Sequence, residues 1–380
     1  MSGLEEVLYN IVVKINEYLS NYILVFLLIG VGLWYTIRTR FVQVRCFGEG
    51  MRRTFGNFKL KGFKHDSGMS SFQALATAIA AQVGTGNIVG SSGAILTGGP
   101  GAIFWMWIIA FFGMATIYAE ATLAVKTRVK TADGSIHGGL VVLIARIRFI
   151  PETVGLIFRY AFQPQAIIGG GFGWALKTAI TQGAKRGLFS NEAGMGSTPH
   201  AHAQANVKDP HEQGVVAMIG VFIDTFIVLT LNALVVISTL YTHDGPLADG
   251  YTGSIVDVLN SSNLAQTAFG SVFGESFGAI FVAVCLFFFA FSTILGWNLF
   301  GKINVIYLFG QKAAPAYSVI ALVFIFVGTL ASNSLVWELT DMFNFLMVIP
   351  NAIGLFALTS AVLAIANRPH DGRLSDKPVK

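Results

Sequence analysis

Charge is what this sequence has least of. Only 12% of its 380 residues are Asp, Glu, Lys or Arg, against about a quarter in an ordinary soluble domain. That deficit excludes the soluble classes. Cysteine is scarce too. Cys46 and Cys285 stand far apart and belong to no spaced motif, so neither is read as a disulfide partner or a metal ligand. Short segments of alternating apolar and polar residues are missing, which argues against a β-barrel. The chain has no G-x-S-x-G, no H-E-x-x-H and no Walker loop. Without a catalytic set it is not read as an enzyme. No basic start or cleavage site opens the sequence, so no removable signal peptide is expected.

What is present is long apolar runs. A helix needs roughly 20 residues to cross a bilayer. Tyr18–Ile37, Phe72–Leu96, Ala102–Val125, Val215–Leu240, Ser276–Phe300 and Ala313–Ala331 all approach or exceed that length, and Ala352–Ala366 follows Pro350. The expected class is an all-α polytopic membrane protein.

The placement of the few charges orients it. Arg38, Arg40, Arg45, Arg52, Arg53, Lys59, Lys61 and Lys64 crowd together directly after the first span. Nucleic acid can attract such a run, but beside a span the positive-inside rule explains it better. Phe47, Phe55, Phe58 and Phe63 interleave with it, as in a segment lying along the interface. The N-terminus is then outside and residues 38–70 inside. Residues 242–274 hold Asp244, Asp249 and Asp257 but no Lys or Arg, and read as outside. The tail, with Arg368, Arg373, Lys377 and Lys380, reads as cytoplasmic. Trp337–Val348 carries Glu338, Asp341 and Asn344 and reads as a surface or re-entrant helix. A crossing by Glu338–Met347 would reverse the side of the tail. Residues 140–213 resist assignment, because "LVVLIARIRFIPET" is a poor span.

Four glycines interrupt the second run in "QVGTGNIVGSSG", Gln82 to Gly93. A G-x-G-x-x-G fingerprint fails at Val89, and no strand precedes it. Gly86 and Gly90 form a small-xxx-small pair suited to close helix packing. The functional reading is a broken transmembrane helix, because Gly84, Thr85, Gly86 and Asn87 are poor helix formers at mid-span. Freed N–H groups there attract a carboxylate and freed carbonyls attract Na⁺. "GLFSNEAGMGSTP", Gly187 to Pro199, is a candidate second break, with a cytoplasmic loop as the plainer alternative. His200 and His202 lack a third ligand and read as solvated.

Ser292 and Thr293 are adjacent hydroxyls in an apolar helix. They either bond back to their own helix or offer two hard oxygen ligands to a small cation. Trp297 lies one turn on and either walls a pocket or packs. Asp224 is an intramembrane carboxylate, suited equally to a site and to a structural bond. Glu120, near a helix end, reads as interfacial. A channel is a weaker fit, for want of a repeated filter or a charged ring.

"GGPGAIFWMWIIAFFG" (Gly98–Gly113), "QVGTGNIVG" and "RGLFSNEAGMGSTPHAHA" together resemble the motifs of the alanine or glycine:cation symporter family. The resemblance runs from the first span to about Asn367. It implies a LeuT-like fold of two inverted five-helix repeats behind an extra N-terminal helix. It also implies sodium-coupled uptake of a small neutral amino acid, alanine or glycine, by alternating access in the cell (inner) membrane. By position, Gly84, Thr85, Gly86 and Asn87 would meet the amino acid, with Asn191 and Gly194 from the second break and Thr293 and Trp297 from the later helix. Ser292 and Thr293, with carbonyls at Val83 and Gly86, resemble a sodium site. No other cofactor is implied.

The chain departs from the family at one place. Family members continue from a segment like Gly138–Gly139 into further spans, whereas here "GGL" joins "VVLIARIRFIPET" almost directly. The first repeat is expected to be incomplete. The alternative function is therefore a shortened, transport-impaired membrane protein that retains at most ligand or cation binding. The expected organisation is one transporter domain. Its parts are the N-terminal helix and basic segment (1–70), the first broken helix and the next helix (71–139), a shortened region with the second broken helix (140–213), the C-terminal helices (214–367) and the tail (368–380).

Overall fold

A computed structural model of the chain describes residues 3–56, 70–127, 146–162, 172–248, 259–261 and 263–368. The Gly139–Val142 junction lies outside them. So do Phe58, Lys59, Lys61, Phe63 and Lys64, Asp249 and Asp257, and Arg373, Lys377 and Lys380. The described residues are built of helices, six of them long and apolar enough to cross a membrane. In chain order the helices are α1 (Gly3–Arg38), α2 (Phe47–Phe55), α3 (Ser71–Gln82), α4 (Ser91–Gly98), α5 (Gly101–Thr127), α6 (Ile150–Phe162), α7 (Phe172–Asn191), α8 (Pro210–Leu240), α9 (Leu264–Phe273), α10 (Glu275–Phe309), α11 (Gln311–Leu330), α12 (Asn333–Ala357) and α13 (Thr359–Ala366).

The centre is α5. Its Ala115, Ile117 and Tyr118 pack in one buried cluster with Val31 and Tyr35 of α1 and Val215 and Met218 of α8. Most of α5 and α8 is buried, whereas very little of α10 and α11 is. The two later helices therefore present most of their apolar surface to the surroundings. Lipid suits such a surface; water does not.

Three features set α2 after α1 and against α8. Arg40 and Phe41 take left-handed backbone (φ 56° and 55°), which turns the chain sharply. Gly50 then meets α8 so closely that a Cβ there would lie 2.7 Å from the Val215 carbonyl. The Glu49 carboxylate accepts from Arg53 at 2.7 Å and faces His211 at 3.4 Å. Its hydrogen bond to His211, above all, and then Arg53, outweigh burial and hold it down at about 2.

At the other end of the sequence, α12 departs from expectation. Residues 337–348 are not a separate surface piece; they belong to a helix that runs on through Pro350. Pro is tolerated in such helices where neighbours satisfy the freed backbone groups. The polar residues of this stretch turn inward. Asp341 is 1% exposed and takes a two-pronged bond from Arg186, 3.0 Å on each oxygen, with Lys185 at 3.5 Å. The expected run Ala352–Ala366 is divided at Leu358, between α12 and α13.

Helices α1 and α12 run parallel. Glu5 accepts from the Ser332 amide, Asn16 donates to Glu338, Tyr35 donates to the Leu355 carbonyl and Arg45 donates to the Ala366 carbonyl. The end of α13 thus lies at the same face of the molecule as Arg38–Phe55.

Candidate functional site

The interruption in 71–98 begins at Val83. Helix α3 starts at a capping box, with Ser70 and Gln73 each accepting from the other's amide. It ends when Val83, bonded to Ile79, swings to ψ 89°. A wide turn over Gly86–Gly90 resumes the helix and leads into α4. Asn87 closes the gap. Its side-chain oxygen accepts from the Gly84 amide at 3.0 Å, and its nitrogen donates to Ser190 at 2.9 Å and Asp224 at 2.7 Å.

Asp224 sits in a second wide turn, Phe222–Leu229, and is fully buried. Beyond Asn87 it accepts from Ser190 at 2.8 Å and Thr225 at 3.0 Å. A buried carboxylate needs that many donors to offset its lost hydration.

The second glycine-rich segment lies directly opposite. Helix α7 stops at Asn191, and Glu192, Gly194 and Gly196 all take positive φ. Only a single turn, Pro199–His202, follows before the loop to α8. Gln82 donates to the Asn191 carbonyl at 2.7 Å, joining the two interruptions. Asn191 donates to Thr225 at 3.0 Å. Glu192 accepts from Ser197 at 2.5 Å and from the Trp297 indole at 3.1 Å. Gly194 meets Glu120 and Asn351 instead.

From the later helix, Gly296 packs on Ala81, and this draws Thr293 against Gly84; a Cβ at Gly84 would lie 2.4 Å from the Thr293 hydroxyl oxygen. That oxygen is buried and bonds to nothing. The Gln82 side-chain oxygen is likewise buried and unpaired. Ser292 behaves differently, donating back to the Phe289 carbonyl at 3.0 Å. Gly86 packs on Phe189, and Thr85 is half-buried. The predicted residues Gly84, Asn87, Asn191, Thr293 and Trp297 thus converge through direct contacts or one intermediary, with Asp224 beside them. The centre is closed by side chains bonding to one another. A cavity of about 230 Å³ lies apart from it, lined in part by Glu17, Ser20, Lys177 and Lys185.

Three expectations are corrected. Glu120 is not interfacial; it is 3% exposed and accepts from Asn351 at 2.5 Å and from the Gly194 amide at 3.4 Å. Helix α5 continues two turns past it, and its partner comes from a distant part of the chain. His202 is 1% exposed and contacts Gln213 at 2.9 Å. His200 contacts the Ser197 carbonyl at 2.6 Å and Asn304 at 2.9 Å. Neither histidine is merely solvated. Gln82, which joins the two interruptions, carries no sequence signal beyond its place next to the glycines.

Comparison with protein families decides the relationship. A family model described as the sodium:alanine symporter family matches residues 5–140 and 139–376. The chain belongs to this family. It is a family of transporters, not enzymes, and its members are sodium-coupled amino-acid symporters. An uncharacterized transporter of Haemophilus influenzae is 32% identical over 446 positions, covering 93% of this chain and 94% of that one. The sodium/alanine symporter AgcS of Methanococcus maripaludis is 32% identical over 451 positions, covering 93% and 96%. The amino-acid carrier protein AlsT of Bacillus subtilis is 30% identical over 441 positions, covering 92% and 90%.

All three alignments are longer than the 380 residues of this chain. The relatives therefore hold residues that this symporter-family chain lacks. The two matched stretches meet at residues 139–140, where the sequence joins "GGL" to "VVLIARIRF".

Proposed function

We propose that this chain binds a small neutral amino acid, alanine or glycine, together with sodium at the joined interruptions. The observation that carries this reading is the unpaired Thr293 oxygen, buried against Gly84 at the break in the first helix. A buried oxygen without a donor is costly, about 1–3 kcal/mol, and a cation there would remove that cost. Val83 and Gly86 carbonyls would add ligands, with Ser292 turning from its own helix to join them. Gly84–Asn87, Asn191, Gly194 and Trp297 would enclose the amino acid. Two interrupted helices meeting at one centre support a LeuT-like arrangement, with the N-terminal helix as an addition.

The basic residues Arg38–Arg53 support an orientation with the N-terminus outside. The parallel pairing of α1 and α12, with α13 only 8 residues long and too short for a further crossing, keeps the tail on the same side as those residues. The tail then shares the cytoplasmic side with Arg38–Arg53, in line with the positive-inside rule.

Binding is tested on the purified full chain by scintillation proximity with radiolabelled alanine, with and without sodium. Saturable, sodium-dependent binding is expected. Its absence from folded protein would reject the reading.

A second reading concerns uptake. The residues missing at 139–140 and the small buried share of α10 and α11 favour a protein that binds but transports poorly. Proteoliposomes with an inward sodium gradient separate the two. Robust saturable alanine uptake favours the complete symporter; binding without uptake favours the shortened one.

A further inference from the structure

We propose that Cys46, Glu49 and His211 form a binding site for a divalent transition-metal ion of the zinc class. The site lies where α2 rests on the start of α8, away from the joined interruptions. The sequence gives no hint of it, because Cys46 and His211 come from separate segments and fit no spaced motif. Folding brings them together. One ligand atom from each of the three lies within 4.8 Å of the others.

The chemistry of the set is the first argument. A thiolate, an imidazole and a carboxylate are the three ligand types that zinc takes from proteins, commonly with a fourth position left open. The outer partners are the second. The His211 Nδ1 is engaged by the Tyr118 hydroxyl at 2.7 Å, which leaves Nε2 directed toward Glu49. The Glu49 Oε1 is engaged by Arg53 at 2.7 Å, which leaves Oε2 directed toward His211. Metal-bound histidines and carboxylates are held by second partners in this manner.

The spacing is the third argument. His211 Nε2 and Glu49 Oε2 stand 3.4 Å apart. This hydrogen bond is longer than the roughly 2.7–2.9 Å usual for a charge-assisted one, so the pair is held apart. Two ligands each about 2.0–2.1 Å from one tetrahedral zinc are separated by roughly 3.4 Å. Cys46 is buried at the start of α2, with its thiol facing this pair. On binding, the thiol loses its proton to the solvent, His211 coordinates as the neutral imidazole and a water takes the fourth position.

The ion would clamp α2 to α8, the helix that carries Asp224 to the first break. The site thus couples a metal at the membrane face to the helix behind the proposed ligand site.

The test uses the full chain in detergent. With Cys285 replaced by Ser, Cys46 is the sole thiol. Co²⁺ is added alone and the near-ultraviolet spectrum is read for a sulfur-to-cobalt charge-transfer band; Zn²⁺ is then titrated and maleimide labelling of Cys46 followed. We expect the band, one ion per chain, and labelling slowed tenfold or more by Zn²⁺. Tyr118→Phe should weaken the metal by roughly 10–100-fold with the helical circular-dichroism signal unchanged. Cys46→Ser should abolish the band. No band with Co²⁺ in the otherwise unaltered chain, or full metal retention in folded Cys46→Ser, would overturn the proposal.

Discussion

A side chain at position 84 has no room, because the Thr293 oxygen occupies the place its Cβ would take. Gly84→Ala should therefore push α10 from the break. Thr293→Val keeps the volume but deletes the unpaired oxygen. It should lower sodium-dependent alanine binding by roughly 10–100-fold, the range for a bond to a charged group. Scintillation proximity at varied sodium checks it, and unchanged binding would remove Thr293 from the site. Asp224 makes a different prediction. Three side-chain donors converge on it. Asp224→Ala should cost about 1–3 kcal/mol for each donor left without a partner, read as a drop in thermal unfolding temperature in detergent.

At the scale of elements, the first break was legible because Gly84–Asn87 disfavour helix within an otherwise apolar run. The second was legible from Gly194 and Gly196, which do take positive φ. What could not be read was pairing across the chain. Glu120 looked interfacial because its partner, Asn351, lies 231 positions away. By local pattern Asp341 suits a surface helix, but Arg186 of α7 holds it in the interior. Local pattern carries period and breaks, but not the identity of a distant neighbour. The Arg186–Asp341 pair should matter to α12. Arg186→Met leaves Asp341 with Lys185 alone, and about 3–5 kcal/mol is expected from breaking such a buried pair. Asp341→Leu in the same protein should recover part of that loss, because the stranded charge is then gone. Thermal melts of the two variants and their double check this.

For the whole molecule, α5 and α8 form a well-buried centre, and α10 and α11 stand largely outside it. The alignments with relatives exceed the chain's own length, and the family match divides at residues 139–140. Restoring a relative's segment at that junction should raise uptake per bound alanine if missing helices limit transport. Unchanged uptake in proteoliposomes would show that they do not. If the two interruptions and Thr293 make one sodium-dependent amino-acid site, alanine binding to the purified chain across a sodium titration will reveal it. The expected result is saturable binding that requires sodium and weakens at least tenfold in Thr293→Val. Alanine binding that is indifferent to sodium, or absent from the folded chain, would contradict it.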